Sequence, residues 1–321
     1  MAVKILANKK AIFYTILSIL FVGLAVFVLT SDNDSYSESK EFTVIATRVN
    51  TMNDFTEDMS DDLERAVYIT GIRSLNAVIG YIIDEGKFVD HADVRFKEAF
   101  VNGTVYGKKQ PLMENSTFPD WQNRVKEQGS KKGIAMSITM KNLTILHVSP
   151  WDLNITGNFI VNVTDTANTA KWSRIVKSTT QISVVGFEDP AYVIGSFGRV
   201  ANVVRKTPFY GQFTTGSGAS FNPANLLNHT LEGYYINNSR APSFLMRLEN
   251  NYSASKYGIE SLVNLIKVQN QGLPVETKDI VGYIYWSSQN PASYKVNKLP
   301  TWIRLDSDRF SVYMVTGETY S

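Results

Sequence analysis

The sequence predicts an α+β protein with an N-terminal transmembrane helix, a long amphipathic helix, and an antiparallel β-sheet head with additional helices. Three observations predict this fold class. Residues 11–30 contain no charged side chain, and apolar residues then recur every three or four positions as far as residue 83. From residue 133 the apolar period changes from about 3.6 to two, which indicates β-strands with one buried face. A hydrophobic fraction of 44% and a charged fraction of 19% are typical of a globular protein.

Residues 11–30 are predicted to be a membrane anchor. Twenty residues at about 1.5 Å each span the hydrocarbon core of a bilayer, which is about 30 Å thick. Three lysines precede this stretch and acidic residues follow it. The positive-inside rule therefore predicts a cytoplasmic stub at residues 1–10 and an extracellular location for the rest of the chain. A cleaved signal peptide is the alternative, but its apolar core would be shorter and would end in a small-x-small motif.

Lys10 and Ala11 form a candidate processing site. A basic pair and a small residue stand directly before the apolar run, as they do in prepilin-like proteins. The acidic residue that many pilins carry shortly after the cut is missing here, since Thr15 and Ile16 occupy that region. A retained anchor is the favoured interpretation, and a processed one is the alternative.

Residues 31–41 are predicted to be a polar linker between two helices. The Ser, Asp and Asn residues at 31–37 are poor helix formers, so a break is expected there. Ser35 and Glu38 have the spacing of a capping box that would open the second helix. Residues 42–130 would then form a helical stalk region, and residues 131–321 a β-rich extracellular head.

The amphipathic helix is predicted from residue 42 to residue 83, with Gly86 ending it. No proline occurs before Pro111, so nothing in this region forces the helix to stop. The apolar stripe comprises Phe42, Ile45, Val49, Met52, Phe55, Met59, Leu63, Ala66, Ile72, Leu75, Val78, Ile79, Ile82 and Ile83. Packing of this stripe on the head is the favoured interpretation, and self-association through the 42–83 helix is the alternative.

The rest of the chain reads as two short helices followed by a sheet. Residues 88–100 and 118–128 carry helical patterns, and a Gly-containing loop ending in proline at 102–111 separates them. Alternating apolar residues between 134 and 184 predict an antiparallel meander. Further on, the patterns predict a helix at 255–272 and closing strands at 280–286 and 302–315.

The composition favours a prokaryotic cell surface. The chain has no cysteine, which excludes a disulfide scaffold, a thiol nucleophile and thiolate metal sites. Nine Asn-x-Ser/Thr sequons are glycosylation candidates: Asn33, Asn102, Asn115, Asn142, Asn154, Asn162, Asn228, Asn237 and Asn251. Those in the predicted meander lie on the outward parity of their strands. Many sequons without cysteine indicate an archaeal surface glycoprotein.

The charge distribution argues against nucleic acid as a partner. The formal net charge is only +2. Residues 32–64 contain ten acidic residues against Lys40 and Arg48, so the stalk is acidic and the head mildly basic. The acidic side chains at 54–64 are interpreted as the solvated face of the helix rather than as a calcium cluster.

The sequence predicts no catalytic residue, no cofactor and no metal site. His91, His147 and His229 lack partners at metal-ligand spacing. Glu188 and Asp189 are the strongest candidates for a pair of catalytic carboxyl groups. Adjacent residues at the end of a strand usually point apart, however, so a structural turn is favoured over acid–base catalysis. Seven aromatic residues could form a platform on which sugar rings stack, but packing in the core is the favoured interpretation. These residues are Trp121, Trp151, Trp172, Trp286, Trp302, Tyr234 and Tyr235.

Five segments resemble an uncharacterised group of archaeal single-span surface proteins. They lie at residues 64–71, 149–152, 186–190, 241–249 and 258–263. The layout of that group is similar to that of type IV pilin-like proteins, with an apolar helix, an amphipathic helix and a β-rich head. The resemblance implies no activity.

Taken together, these patterns predict a single-pass, membrane-anchored envelope protein without enzymatic activity, pilin-like or adhesive. The alternative is an anchored binding module for glycans, peptides or solutes. The expected partner is the lipid bilayer, through residues 11–30, and self-association through the 42–83 helix is the alternative to packing of that helix on the head.

Overall fold

The computed structural model describes the backbone of residues 9–321 and the side chains of residues 13–29 and 42–321. The first element, helix α1, runs without interruption over Lys9–Glu85, which is 77 residues or about 115 Å. Gly86, at φ 63°, ends it, as the sequence predicts. The predicted break at residues 31–37 is wrong, because the helix continues through the polar segment.

The continuity of α1 has a simple physical reason. Between Gly23 and Gly71 there is neither glycine nor proline. Ser, Asp and Asn cost at most about 0.7 kcal/mol each relative to Ala, whereas a new helix must repeat the unfavourable nucleation step. A helix that is already formed on both sides of the segment therefore propagates through it.

The two halves of α1 differ in what surrounds them. The large apolar side chains of Phe13–Leu29 are 39–72% exposed. Among the described residues, Phe42–Glu85 is the one stretch that is long and apolar enough to cross a membrane by length and composition, but 56% of its most apolar window is buried. Phe13–Leu29 is a shorter apolar stretch. The C-terminal half of α1 therefore packs in the head, whereas the apolar side chains of the described N-terminal stretch are exposed.

Two short helices and a small hairpin follow α1. Helices α2 (Ala92–Asn102) and α3 (Phe118–Lys131) confirm the predicted pair. The segment between them was predicted to be a loop and contains a hairpin of strands β1 (Thr104–Val105) and β2 (Lys108–Lys109). A capping box of Thr117 and Asp120 fixes the start of α3.

The predicted meander is confirmed as a three-stranded antiparallel sheet. Its strands are β3 (Ile134–Ser149), β4 (Asp152–Asp165) and β5 (Lys171–Ser183), in the order β3-β4-β5. One face alternates buried residues such as Leu153, Ile155 and Phe159 against α1 and α3. Asn, Thr, Ser and Lys dominate the other face.

The rest of the chain, after β5, consists of short elements around a second core. They are α4 (Pro190–Gly195), α5 (Ala224–Glu232), β6 (Tyr235–Asn237), α6 (Phe244–Leu248), β7 (Ile259–Ser261), α7 (Leu265–Asn270), α8 (Gly282–Tyr285), β8 (Ser293–Val296), β9 (Arg304–Asp306) and β10 (Thr319–Tyr320). Strands β6 and β7 pair, and β10, β8 and β9 form a small sheet in that order.

Three of the predictions for this region are wrong. The helix expected at 255–272 is strand β7 followed by the short helix α7, and the strand expected at 280–286 contains helix α8. The segment 302–315 is strand only over Arg304–Asp306. Residues 258–263 and 278–285 are buried without interruption, and periodicity cannot separate a fully buried strand from a buried helix.

Two hydrophobic cores hold the head together. The first lies between α1, α2, α3 and the sheet, and the second lies within residues 192–315. Phe244, Leu248 and Ile259 come from the C-terminal region but belong to the first core. Helix α6 and strand β7 therefore connect the C-terminal region to the first core.

Candidate functional site

A polar cleft of about 690 Å³ opens on the C-terminal part of the head. It lies between the end of α8, strand β9 and the turn that follows it, and the segment at residues 289–292. Its lining consists of Arg240, Tyr252, Tyr283, Ile284, Gln289, Asn290, Pro291, Ala292, Asp306, Ser307, Asp308 and Arg309. The volume lies within the usual range of small-molecule sites, about 300–1,000 Å³.

The floor of the cleft is a rigid set of buried polar groups. Tyr283, Asp306 and Arg309 are 3%, 5% and 5% exposed. Arg309 donates from Nη1 to Asp306 Oδ2 at 3.0 Å and from Nη2 to the Tyr283 hydroxyl. Tyr283 in turn donates to the backbone carbonyl of Arg240 at 3.3 Å. Each floor group is thus held by another, so their positions are fixed before any ligand binds.

The rim carries a second, exposed ion pair. Arg240 Nη1 lies 3.3 Å from Asp308 Oδ1, and the two side chains are 58% and 63% exposed. Such a pair contributes little to stability, about 0–1 kcal/mol. On another wall, the ring of Tyr252 stacks on Tyr283 at 6.3 Å with an interplanar angle of 28°.

Two further carboxyl groups lie in the interior behind the floor. Glu260 is fully buried with Arg309 Nε 3.6 Å away. Asp279 accepts the backbone N–H groups of Val281 and Asp306, both at 2.7 Å. Burial raises the pKa of Glu260, and burial together with the neighbouring Asp306 raises the pKa of Asp279 well above its usual range. Both shifts mean that the charged form of each group is less favourable here than in water.

The predicted pair of Glu188 and Asp189 is divided between surface and core. Asp189 is fully buried, accepts from the Ala191 N–H at the start of α4, and pairs with Arg247 at 2.7 Å. Glu188 is half-buried, and desolvation is the main cause that raises its pKa. The two carboxyl groups therefore lie in different environments, one in the core and one at the surface. This geometry fits a structural turn rather than an acid–base pair.

The three histidines lie far apart in the head. His91 precedes α2 and His147 lies in β3, as predicted, whereas His229 lies in α5 rather than in a loop. Burial lowers the pKa of His147, whose two ring nitrogens contact the carbonyl of Ser149 and the N–H of Leu245. Burial also lowers the pKa of His229 to about 3. His147 and His229 are thus neutral packing residues.

The tryptophans do not converge on one surface. Trp121 is buried on α3 and donates from its indole N–H to Asp62 Oδ2 at 2.7 Å. Trp286 packs edge-on against Tyr192 and Tyr285. Trp151, Trp172 and Trp302 are half-buried, and none of the five lines the polar cleft. Tyr235 is fully buried and Tyr234 half-buried.

The sequons with described side chains all lie at accessible positions. Asn102, Asn115, Asn142, Asn228, Asn237 and Asn251 are exposed, and Asn154 and Asn162 are half-buried on the outer face of β4. The side chain of Asn33, like those of Lys10 and Ala11, lies outside the described residues. Attachment of a glycan remains a prediction at every one of these sites.

A groove between α1 and α3 encloses about 350 Å³. Phe55, Met59 and Trp121 form its apolar floor. Asp58 stands on the α1 side of the groove and Arg124 on the α3 side. Asp62 lines the same groove and accepts the indole N–H of Trp121. None of the acidic residues at 54–64 forms an ion pair within the described part of the chain. In the same described residues, no group of three or more His, Asp or Glu side chains is placed to hold a metal ion.

Comparison of the chain with protein-family models, with curated proteins and with solved structures finds no match. The class of the protein therefore rests on its own residues.

The sequence reasoning missed the polar cleft and the charged interior behind it. Arg247 and Glu260 were treated as members of ordinary segments, yet both are fully buried. A signal was present, because each is a single charged residue within an apolar run, at 244–248 and 258–263. A charged residue in a fully buried run must find a partner, and that partner marks where distant segments meet.

Proposed function

We propose that the protein is a membrane-anchored envelope protein whose head stands outside the cell, with a structural, pilin-like or adhesive role and no enzymatic activity. The observation that carries this proposal is helix α1. Its exposed apolar stretch Phe13–Leu29 and its buried stripe from Met52 onward belong to one uninterrupted helix. A head mounted on such a helix has no flexible joint between bilayer and core.

The orientation follows from the charges around the anchor. Lys4, Lys9 and Lys10 favour a cytoplasmic N-terminus, and nine sequons on the far side suit an extracellular head. The absence of cysteine supports a prokaryotic surface, and the resemblance to the archaeal single-span group points to the same source.

Two features of helix α1 bear on the proposal of a pilin-like role. A long helix whose C-terminal half packs on an antiparallel sheet is the layout implied by that resemblance, and the continuity of α1 supports it. The stripe from Met52 to Ile82 is occupied by the chain's own head. Self-association would therefore use the exposed residues Phe42, Val44 and Ile45 together with the apolar stretch before them.

Membrane fractionation tests the anchor. In the double variant Phe21→Asp/Leu24→Asp, two charges lie in the middle of the apolar stretch and each costs about 2.5–3.5 kcal/mol in a bilayer. We expect wild type to stay in the membrane pellet after alkaline extraction and the double variant to move to the supernatant. Leu112→Asp, on an exposed head residue, is the matched control and should stay in the pellet. Equal retention of all three proteins would contradict the anchor.

Mass spectrometry of the protein from its own cells tests the assembly. A filament subunit should be cut near Ala11 and should appear in fibres sheared from the surface. An intact N-terminus found only in the membrane fraction would exclude that version. The same measurement reports sequon occupancy.

The second candidate function is an anchored binding module, and the polar cleft favours it. A pre-organised cleft on the head of an otherwise structural protein has no evident structural purpose.

A further inference from the structure

We propose that the polar cleft binds a neutral carbohydrate of one to three sugar units. The cleft joins four charged side chains, an aromatic wall and two amides around one volume of about 690 Å³. The chemical class of the ligand follows from how these groups are paired.

The charges of the cleft cancel. Arg309 is paired with Asp306 on the floor, and Arg240 with Asp308 on the rim. An anion attracted by either guanidinium is repelled by the carboxylate beside it. A cation attracted by either carboxylate is repelled by the neighbouring guanidinium. A charged ligand would have to break an ion pair, whereas a neutral one leaves both pairs in place.

The rim pair of Arg240 and Asp308, which is exposed, presents an acceptor beside a donor, whereas the floor pair is already hydrogen-bonded. A carboxylate only accepts hydrogen bonds and a guanidinium only donates them. A hydroxyl group both donates and accepts, so two neighbouring hydroxyls of a sugar satisfy both members of a pair at once. Hydrogen bonds to charged partners are the strong ones, which compensates for the removal of water from the sugar.

Tyr252 supplies the apolar contact that a sugar ring needs. Its ring is held by the stacked Tyr283 and by an edge-on contact with Phe88 at 6.5 Å. A ring fixed in this way loses little entropy when a ligand packs on it. Gln289 and Asn290 are exposed lining residues, and their amide groups offer both donors and acceptors to sugar hydroxyls.

This inference extends the proposed function without depending on the anchor. The cleft lies wholly within residues 240–309, whereas the membrane proposal rests on α1. Loss of membrane association in the fractionation experiment would leave the binding prediction unchanged, and absence of sugar binding would leave the anchor unchanged.

Saturation-transfer NMR on the full chain tests the proposal. The probes are glucose, galactose and N-acetylglucosamine with their di- and trisaccharides, and their charged counterparts are glucuronic acid, galacturonic acid and glucosamine. The detergent must carry no sugar headgroup, because such a headgroup would compete for the cleft. We expect saturable binding of at least one neutral sugar and at least tenfold weaker binding of its charged counterpart.

Variants locate the binding. Asp308→Ala removes an exposed rim carboxylate, and Tyr252→Ala removes the aromatic wall; each should weaken binding about tenfold or more. Tyr252→Phe keeps the ring and should bind within about threefold of wild type. Arg124→Ala, in the groove between α1 and α3, is the control and should bind as wild type does.

Three results would overturn the proposal. They are no saturable binding of any neutral sugar at millimolar concentration, preferential binding of the charged sugars, and binding that Asp308→Ala leaves unchanged. The thermal midpoint of Asp308→Ala should match that of wild type, so its loss of binding cannot be attributed to unfolding.

Discussion

Glu260 shows how a single buried carboxyl group links the stability of the head to pH. It lies in strand β7, fully buried, with Arg309 as its nearest charged partner. Burial outweighs that partner and raises the pKa of Glu260 above its unfolded value of about 4.3. In the folded protein this group therefore keeps its proton to a higher pH than in the unfolded chain.

The sign of the resulting pH dependence follows from linkage. Above the unfolded pKa the folded state binds more protons than the unfolded state, so the contribution of Glu260 to the free energy of unfolding falls as pH rises toward the folded pKa. Glu260→Gln removes the titration and keeps the shape. We expect the variant to gain stability relative to wild type as pH rises from about 4 to 8.

Thermal midpoints of wild type and Glu260→Gln across that range measure the difference. Glu276→Gln is the control, because Glu276 is exposed, and its difference from wild type should not follow this trend. A constant offset between wild type and Glu260→Gln at all pH values would contradict the raised pKa.

At the scale of elements, the sequence predicted those that have one buried face. The stripe of α1, the helices α2 and α3 and the strands β3 to β5 each alternate buried and exposed residues with the period of their structure. The same reasoning failed where every residue is buried, as in β7 and α8. It also failed at residues 31–37, where intrinsic propensity was given more weight than the cost of starting a second helix.

The polar cleft could not be predicted for a different reason. Tyr252, Tyr283 and Arg309 lie far apart in sequence and are brought together only by the second core. The hydrophobic periodicity of a segment carries no information about such long-range contacts. Only the isolated charges in apolar runs hinted that distant segments pair in the interior.

Alanine substitutions at two glycines test how closely the elements of the head approach one another. A Cβ built on Gly258, just before β7, would lie 2.1 Å from the carbonyl oxygen of Ala241 and 2.2 Å from that of Asn238. Both are backbone atoms that cannot rotate away. We expect Gly258→Ala to destabilise the head by about 1–3 kcal/mol or more.

Gly80, within α1, is the matched control. A Cβ at this position meets no atom within 4 Å. Because glycine is a poor helix former, Gly80→Ala should stabilise the protein by about 0.5–1 kcal/mol. Denaturant unfolding of the two variants should give shifts of opposite sign, and shifts of the same sign would contradict the close approach at Gly258.

At the scale of the whole molecule, one fully buried ion pair joins segments that contribute to both cores. Asp189 stands at the start of α4, and Arg247 lies in α6; both side chains are 0% exposed, and their charged atoms are 2.7 Å apart. The Tyr235 hydroxyl donates to the same carboxylate at 2.9 Å, and Arg247 also donates to the carbonyl of Ile259. Four segments that are distant in sequence therefore meet at one guanidinium.

Removal of one partner of this pair should destabilise the entire head. Arg247→Met leaves the Asp189 carboxylate buried without its cation, and breaking a buried pair typically costs about 3–5 kcal/mol. The double variant Asp189→Asn/Arg247→Met removes both charges and should recover a substantial part of that loss. Arg240→Met, at an exposed pair, should stay within about 1 kcal/mol of wild type.

Denaturant unfolding of the three variants, followed by hydrogen exchange with mass spectrometry, measures these differences. Peptides that contain Trp121 report on the first core and peptides that contain Tyr313 report on the second. Because Arg247 holds segments of both, we expect Arg247→Met to lower the midpoint of both cores together. Loss of the second core alone, with the first unchanged, would show that α1 and its sheet fold independently of the ion pair.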